Sequence, residues 1–124
     1  MHIVPATSFC EAKGKQPATY YWFGLKGDDP RPPFAFAGLF TYYNGAYGKD
    51  TWEGLTSTIV TTTPNELVRP VHPDRMPAIL RPETYETWLT GEPDEAFNLI
   101  EPFAAEDMVV HQSGEGLKSD HGGV

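Results

Sequence analysis

Cysteine is nearly absent from this 124-residue chain. Cys10 stands alone, so no disulfide can form within it. A lone thiol fits a reducing compartment, and the expectation is a cytoplasmic protein. Basic residues are also scarce. Nine Lys and Arg against 17 Asp and Glu leave a net charge of −8, which argues against broad, non-specific attraction to nucleic acid. A local basic groove stays compatible with that balance, because the charges can be unevenly placed. No apolar run approaches the roughly 20 residues that span a bilayer. The N-terminal stretch MHIVPATSF lacks the basic region and long apolar core of a signal peptide. The spacings HxxxH, HExxH and CxxC of metal sites are missing, as are a phosphate-binding glycine loop and GxSxG. The expectation is a chain with no metal and no cofactor.

What is present is a strand-forming chain with many turns. Hydrophobic residues make up 40% and charged residues 21%, the balance of one soluble globular domain. Twelve Pro, twelve Gly and 13% aromatics point to short strands around an aromatic core. The reading is a single domain over residues 1–112 and a Gly-rich, polar, flexible tail over 113–124.

IVPATSFCEA reads as one opening strand. ATYYWFGLK and FAFAGLFTYY are rich in β-formers, with Gly38 marking a bulge or a close backbone approach. NGAYGKDTWEG reads as a loop, with Asn44-Gly45 as its turn signal. LTSTIVTTT is a β-branched strand. Thr63-Pro64-Asn65-Glu66 fits a capping box ahead of a short helix over 64–68. MPAIL reads as a strand. A helix from Pro82 to Gly91 puts Tyr85, Trp88 and Leu89 on one face. DEAFNLI reads as a further helical turn or two, and DMVVHQ as a last strand. Together these predict an α+β fold with a mainly antiparallel, strongly curved sheet. Periodicity leaves open whether that sheet closes into a barrel.

Few residues carry chemistry. Glu11 lies in an apolar strand on the face of Phe9. A carboxylate half-buried among aromatics has a raised pKa and suits general acid–base work. The plainer reading is an edge glutamate paired with Lys13 or Lys15. His72 sits between Pro70 and Pro73. It is either a turn histidine bonded to backbone or an acid–base catalyst pre-organised by its prolines. Cys10 and His72 together suggest a thiol hydrolase. However, alternation puts Cys10 on the face opposite Glu11, which favours a small core thiol. A metal trio of His72, Asp74 and His111 is weak on spacing. In the cluster Tyr20 to Phe23, consecutive strand residues point both ways, so at most half can stack nucleobases.

Four segments, in order, resemble one known family. PATSFCEAK, PPFAFAGLF, STIVTTTPNELVRPVHPDRMPAIL and ETYETWL are similar to the motifs of SRAP domains, the SOS-response-associated peptidases and abasic-site sensors. The resemblance runs from about Ile3 to about His111. It implies a compact α+β domain with a curved, barrel-like sheet. It also implies recognition of abasic sites in single-stranded DNA. In the family, an N-terminal cysteine condenses through its amine with the ring-opened sugar aldehyde, and its thiol closes a thiazolidine. The same centre is thought to remove the initiator methionine. By motif position, Glu11 and His72 match the family's proton-transfer residues, and Arg75 matches an arginine that contacts the DNA backbone.

Departures qualify the match. The chain opens Met1-His2, without the family's N-terminal cysteine, and Cys10 has no free α-amine to replace it. Ala12 stands where a tryptophan often follows the glutamate. His72-Pro73-Asp74-Arg75 is one residue longer than the commoner spacing. The resemblance therefore implies the C-terminal portion of an SRAP domain, inactive in crosslinking by itself. Its expected partners are abasic single-stranded DNA and either a missing N-terminal half or a second copy. A non-catalytic module that binds single-stranded DNA or protein is the alternative.

Overall fold

The computed structural model describes residues 1–120. The β-formers that Pro and Gly separate become strands β1 (His2–Ala6), β2 (Phe9–Lys13), β3 (Thr19–Leu25), β4 (Phe34–Tyr47), β5 (Asp50–Ile59), β6 (Thr61–Thr62), β7 (Met76–Pro77), β8 (Ile79–Leu80) and β9 (Met108–Glu115). The helical pieces are short: α1 (Tyr85–Thr90), α2 (Pro93–Phe97), and single 3-10 turns at Pro82–Thr84 and Ala105–Asp107. Every ladder is antiparallel. One sheet runs β1-β4-β5 with β8 also on β4, a second runs β2-β3-β9, and β6 pairs with β7. Among the described residues these sheets do not close into a barrel. The expected α+β, mainly antiparallel class is what forms.

Strand β4 explains the core. Its first half is covered on both faces, so Phe34 to Gly38 are all buried. Alternation sends Phe34 and Phe36 one way, into a cluster with Phe9, Phe23, Met76, Ile79 and Met108. It sends Ala37 the other way, against Leu80, Trp88 and Ala96. The β1-β4 sheet is thus sandwiched between the β2-β3-β9 sheet and the two helices. Phe23 is fully buried, a contribution of about 2–3 kcal/mol for one such side chain. Trp88 is equally buried, and its indole N–H donates to His2 O at 2.8 Å and Gly38 O at 3.2 Å. Gly38 does mark a close approach: a Cβ there would lie 2.6 Å from His2 Nε2.

Several expectations need correction. The opening strand breaks at Thr7 and Ser8, where the chain passes from one sheet to the other. NGAYGKDTWEG is not a loop. Asn44 pairs with Glu53 and Gly45 with Trp52, and the turn falls at Gly48-Lys49, with Gly48 at φ +64. No helix forms over 64–68. Asn65 caps a set of turns, its Oδ1 accepting from the N–H of Leu67 and of Val68, both at 3.0 Å. Leu89 does not share the buried face of Trp88 and is exposed. The tail does not begin at Ser113. β9 continues to Glu115, and Trp22 Nε1 donates to Leu117 O at 2.9 Å. Asp120 accepts from Ser8, Arg31 and Gln112. The remaining residues, 121–124, lie outside the described residues.

Candidate functional site

The site begins with the alternation of β2. Phe9 and Glu11 point inward, opposite Phe23 and Tyr21 of β3, while Cys10 and Trp22 point outward. Phe9, Phe23 and Tyr21 form a stacked row, with ring centroids 5.4 Å and 6.4 Å apart. Glu11 stands beside Tyr21 at the end of that row. Its side chain keeps 22% of its accessible surface. Burial pushes its pKa up from the ordinary carboxylate value, and the charges of His72 and Arg75 pull partly the other way. Apolar neighbours thus set this carboxyl's chemistry more than its ionic partners do.

His72 reaches the same place from a different segment. Asn65, only 8% exposed, fixes that segment. Its Nδ2 donates to Phe103 O at 2.6 Å, while its Oδ1 holds the turn through Val68. Val68 O then accepts the backbone N–H of His72 at 2.9 Å. Two prolines and one buried asparagine therefore orient the imidazole. Its Nδ1 accepts a long contact, 3.4 Å, from the N–H of Arg75. In the neutral ring that arrangement leaves the proton on Nε2. Nε2 lies 3.8 Å from Glu11 Oε2. This is ion-pair range and longer than a hydrogen bond. Two proton-carrying groups face each other without being locked together. Arg75 is exposed beside them.

The other candidates lie elsewhere. Cys10 is on the outer face, and burial and the charge of Glu11 raise its pKa. A thiol so disposed is neither turned toward His72 nor activated, which counts against the thiol hydrolase. Among the described residues no three His, Cys, Asp or Glu side chains gather as a metal site, so His72, Asp74 and His111 do not act as a trio. Of the aromatic cluster, Phe23 is core, Tyr21 lines the site and Trp22 donates to Leu117 O.

The sequence reading missed two features. One is Asn65, whose signal was there as an Asn after Thr-Pro, a residue that bonds its own following backbone. The other is a polar cluster on the outer face, where Asp120 joins Ser8, Arg31 and Gln112. No local pattern announces it, because its members span the chain.

Fold and site define a small, mostly antiparallel α+β protein with a carboxylate–imidazole pair in its inner sheet face. The family model of SOS response associated peptidase (SRAP) matches residues 2–118, and the chain belongs to that family. Two curated relatives are from Bacillus subtilis (strain 168). The abasic site processing protein YoqW is 40% identical over 113 residues, 89% of this chain and 48% of the relative. YobE, with the same description, is 38% identical and matched over 49% of its length. The chain spans about half the length of the curated relatives it matches. Two X-ray structures share the fold. A Bacteroides thetaiotaomicron protein has 30% identity and a TM-score of 0.68, covering 91% of this chain and 47% of its own. A Bordetella bronchiseptica protein has 25% identity and a TM-score of 0.69, covering 91% and 53%.

Proposed function

We propose that this chain supplies the acid–base half of an SRAP domain that acts on abasic sites in single-stranded DNA. The observation that carries this is the 3.8 Å approach of His72 Nε2 to Glu11 Oε2. The family chemistry needs protons moved at one carbon. An amine adds to the sugar aldehyde, and the resulting hydroxyl must leave as water to give an imine. A thiol then adds to the imine carbon, and its proton goes to nitrogen, closing the thiazolidine. Glu11, with its raised pKa, suits the step that protonates the departing hydroxyl. His72, with its Nε2 3.8 Å from Glu11 Oε2, suits taking a proton from the amine or the thiol. Arg75, exposed next to the pair, suits a DNA phosphate.

The amine and thiol come from an N-terminal cysteine carried by a part of the domain that this chain does not contain. Cys10 cannot stand in, because its nitrogen is in a peptide bond. The test is incubation with abasic single-stranded DNA, followed by a denaturing gel. The chain alone forms no adduct. When the remaining half of an SRAP domain is supplied, an adduct forms, and E11Q or H72Q slows it by roughly a hundredfold. An adduct made by the C10A chain alone would overturn the reading.

A further inference from the structure

Among the described residues, seven of the nine large apolar side chains that stand exposed lie on one element, the β4–β5 ribbon. Beyond Leu39, which packs on the Trp88 cluster, and Phe40, whose ring meets His2 at 5.7 Å, this ribbon leaves the body of the molecule. Phe40, Tyr42, Leu55 and Ile59 share one of its faces. Tyr43, Tyr47 and Trp52 share the other, with the rings of Tyr43 and Trp52 stacked at 6.3 Å. These side chains are 38% to 74% exposed. A patch of this extent on both faces marks an interaction surface.

The edges are as bare as the faces. β1 pairs with β4 only as far as Gly38, so among the described residues 39–47 has no strand on that side. Among the described residues β5 pairs with β4 alone. From Gly54 to Thr63 there is no charge and no proline, the devices that usually protect an edge. A two-stranded ribbon is at best marginally stable in water without a third strand or a packed face.

A second copy joined through β5 would fill one edge, leave both faces bare and bring together two chains of net charge −8. A partner about as large as this chain, able to add a strand and wrap the ribbon, meets every requirement. The solved relatives carry such a partner's worth of sequence, since this chain accounts for only 47% and 53% of them. We propose that the β4–β5 ribbon is the docking surface for the part of an SRAP domain that this chain does not contain. That part adds a strand to a free edge and buries the ribbon's aromatic faces. This deepens the functional reading above and rests on it for the partner's identity.

The test uses the full chain and the portion of YoqW that lies outside the match. The expected result is a one-to-one complex in which the amides of residues 40–58 exchange about a hundredfold more slowly than in the chain alone. Y42D and L55D, both at exposed positions, weaken the complex at least about tenfold while the free chain keeps its circular dichroism. Three results overturn the proposal: no complex, unchanged exchange over 40–58, or a complex indifferent to both substitutions. A ribbon-mediated homodimer of the chain alone overturns it too. Adduct formation on abasic DNA is scored separately. A protected ribbon without an adduct sinks the crosslinking reading alone, and an adduct without ribbon protection sinks the docking alone.

Discussion

His72 Nε2 faces Glu11 Oε2 across 3.8 Å, although 60 positions of chain separate the two residues. Glu11 arrives on a strand whose inward face is aromatic. His72 arrives on turns fixed by Asn65 and by prolines on both sides. Burial raises the Glu11 pKa while His72 and Arg75 lower it. On balance desolvation outweighs ionic attraction at Glu11.

That balance predicts a pH dependence for Glu11. Its folded pKa lies above the unfolded value of 4.5, so the folded state favours the protonated form. Its contribution to stability is complete below that value and is lost as pH rises through the folded pKa. E11Q keeps the shape without the charge. Its melting temperature is expected to exceed that of the native chain at pH 7.5, and the difference is expected to shrink toward zero by pH 4. A gain that grew in acid would mean that ionic pairing, not burial, governs the site.

His72 acts on Glu11 in the opposite sense to burial, so its removal has a signed consequence. In H72Q the carboxyl loses the charge that stabilises its ionised form. A carbon-13 NMR titration of the Glu11 carboxyl should then show its pKa higher than in the native chain. An unchanged or lower value would mean that the two groups do not interact in solution.

Asn65 is the residue on which the His72 segment depends. Its side chain holds two backbone N–H groups and one backbone carbonyl in a buried place. N65A strands them, and the expected cost is about 3 kcal/mol, chiefly from the buried Val68 N–H and Phe103 carbonyl left without partners. Chemical denaturation measures it. A cost under about 1 kcal/mol would mean that the turn is held by its prolines and carbonyls alone.

Much of this architecture was legible in the sequence, for a physical reason. Where one face of a strand is buried, alternation is imposed on the residues, and Phe9 and Glu11 could be oriented from it. Legibility fails where that constraint fails. FAFAGLFTYY and LTSTIVTTT were legible as strands, but residues 44–54 at the outer end of the ribbon are largely exposed, so no pattern separated them from a loop. Asn44-Gly45 then carried more weight than it deserved beside Gly48. The break at Thr7-Ser8 was hidden because only two residues separate β1 from β2, and strand-formers flank them on both sides. The histidine's role came from a resemblance, since no local spacing joins His72 to Glu11.

Trp88 offers a test of how β1 is held. Its indole N–H donates to His2 O and Gly38 O, and its ring is wholly buried against Ala37, Leu80 and Ala96. W88F removes the donor and part of the ring. The expected loss is about 2–3 kcal/mol, from the missing bonds and the small cavity together. Exchange of the β1 amides should accelerate more than that of β9, which lies in the other sheet. Equal acceleration in both strands would show that Trp88 stabilises the whole fold and has no particular hold on β1.

His111 gives the last prediction, with a sign opposite to that of Glu11. It lies on β9 beside Gly24, where a Cβ would come within 2.1 Å of its Nε2. Burial lowers its pKa first and the charge of Arg31 second, while Asp120 partly offsets both. A histidine depressed below its ordinary 6.5 stabilises the fold in its neutral form. That contribution is complete above pH 6.5 and is lost as pH falls through 6.5 toward the folded pKa. H111Q cannot be protonated. Between pH 7.5 and pH 5 the native chain should therefore lose more stability to denaturant than H111Q does. If the two curves run parallel, the charge of Asp120 cancels burial and Arg31, and this outer-face cluster accepts a protonated imidazole.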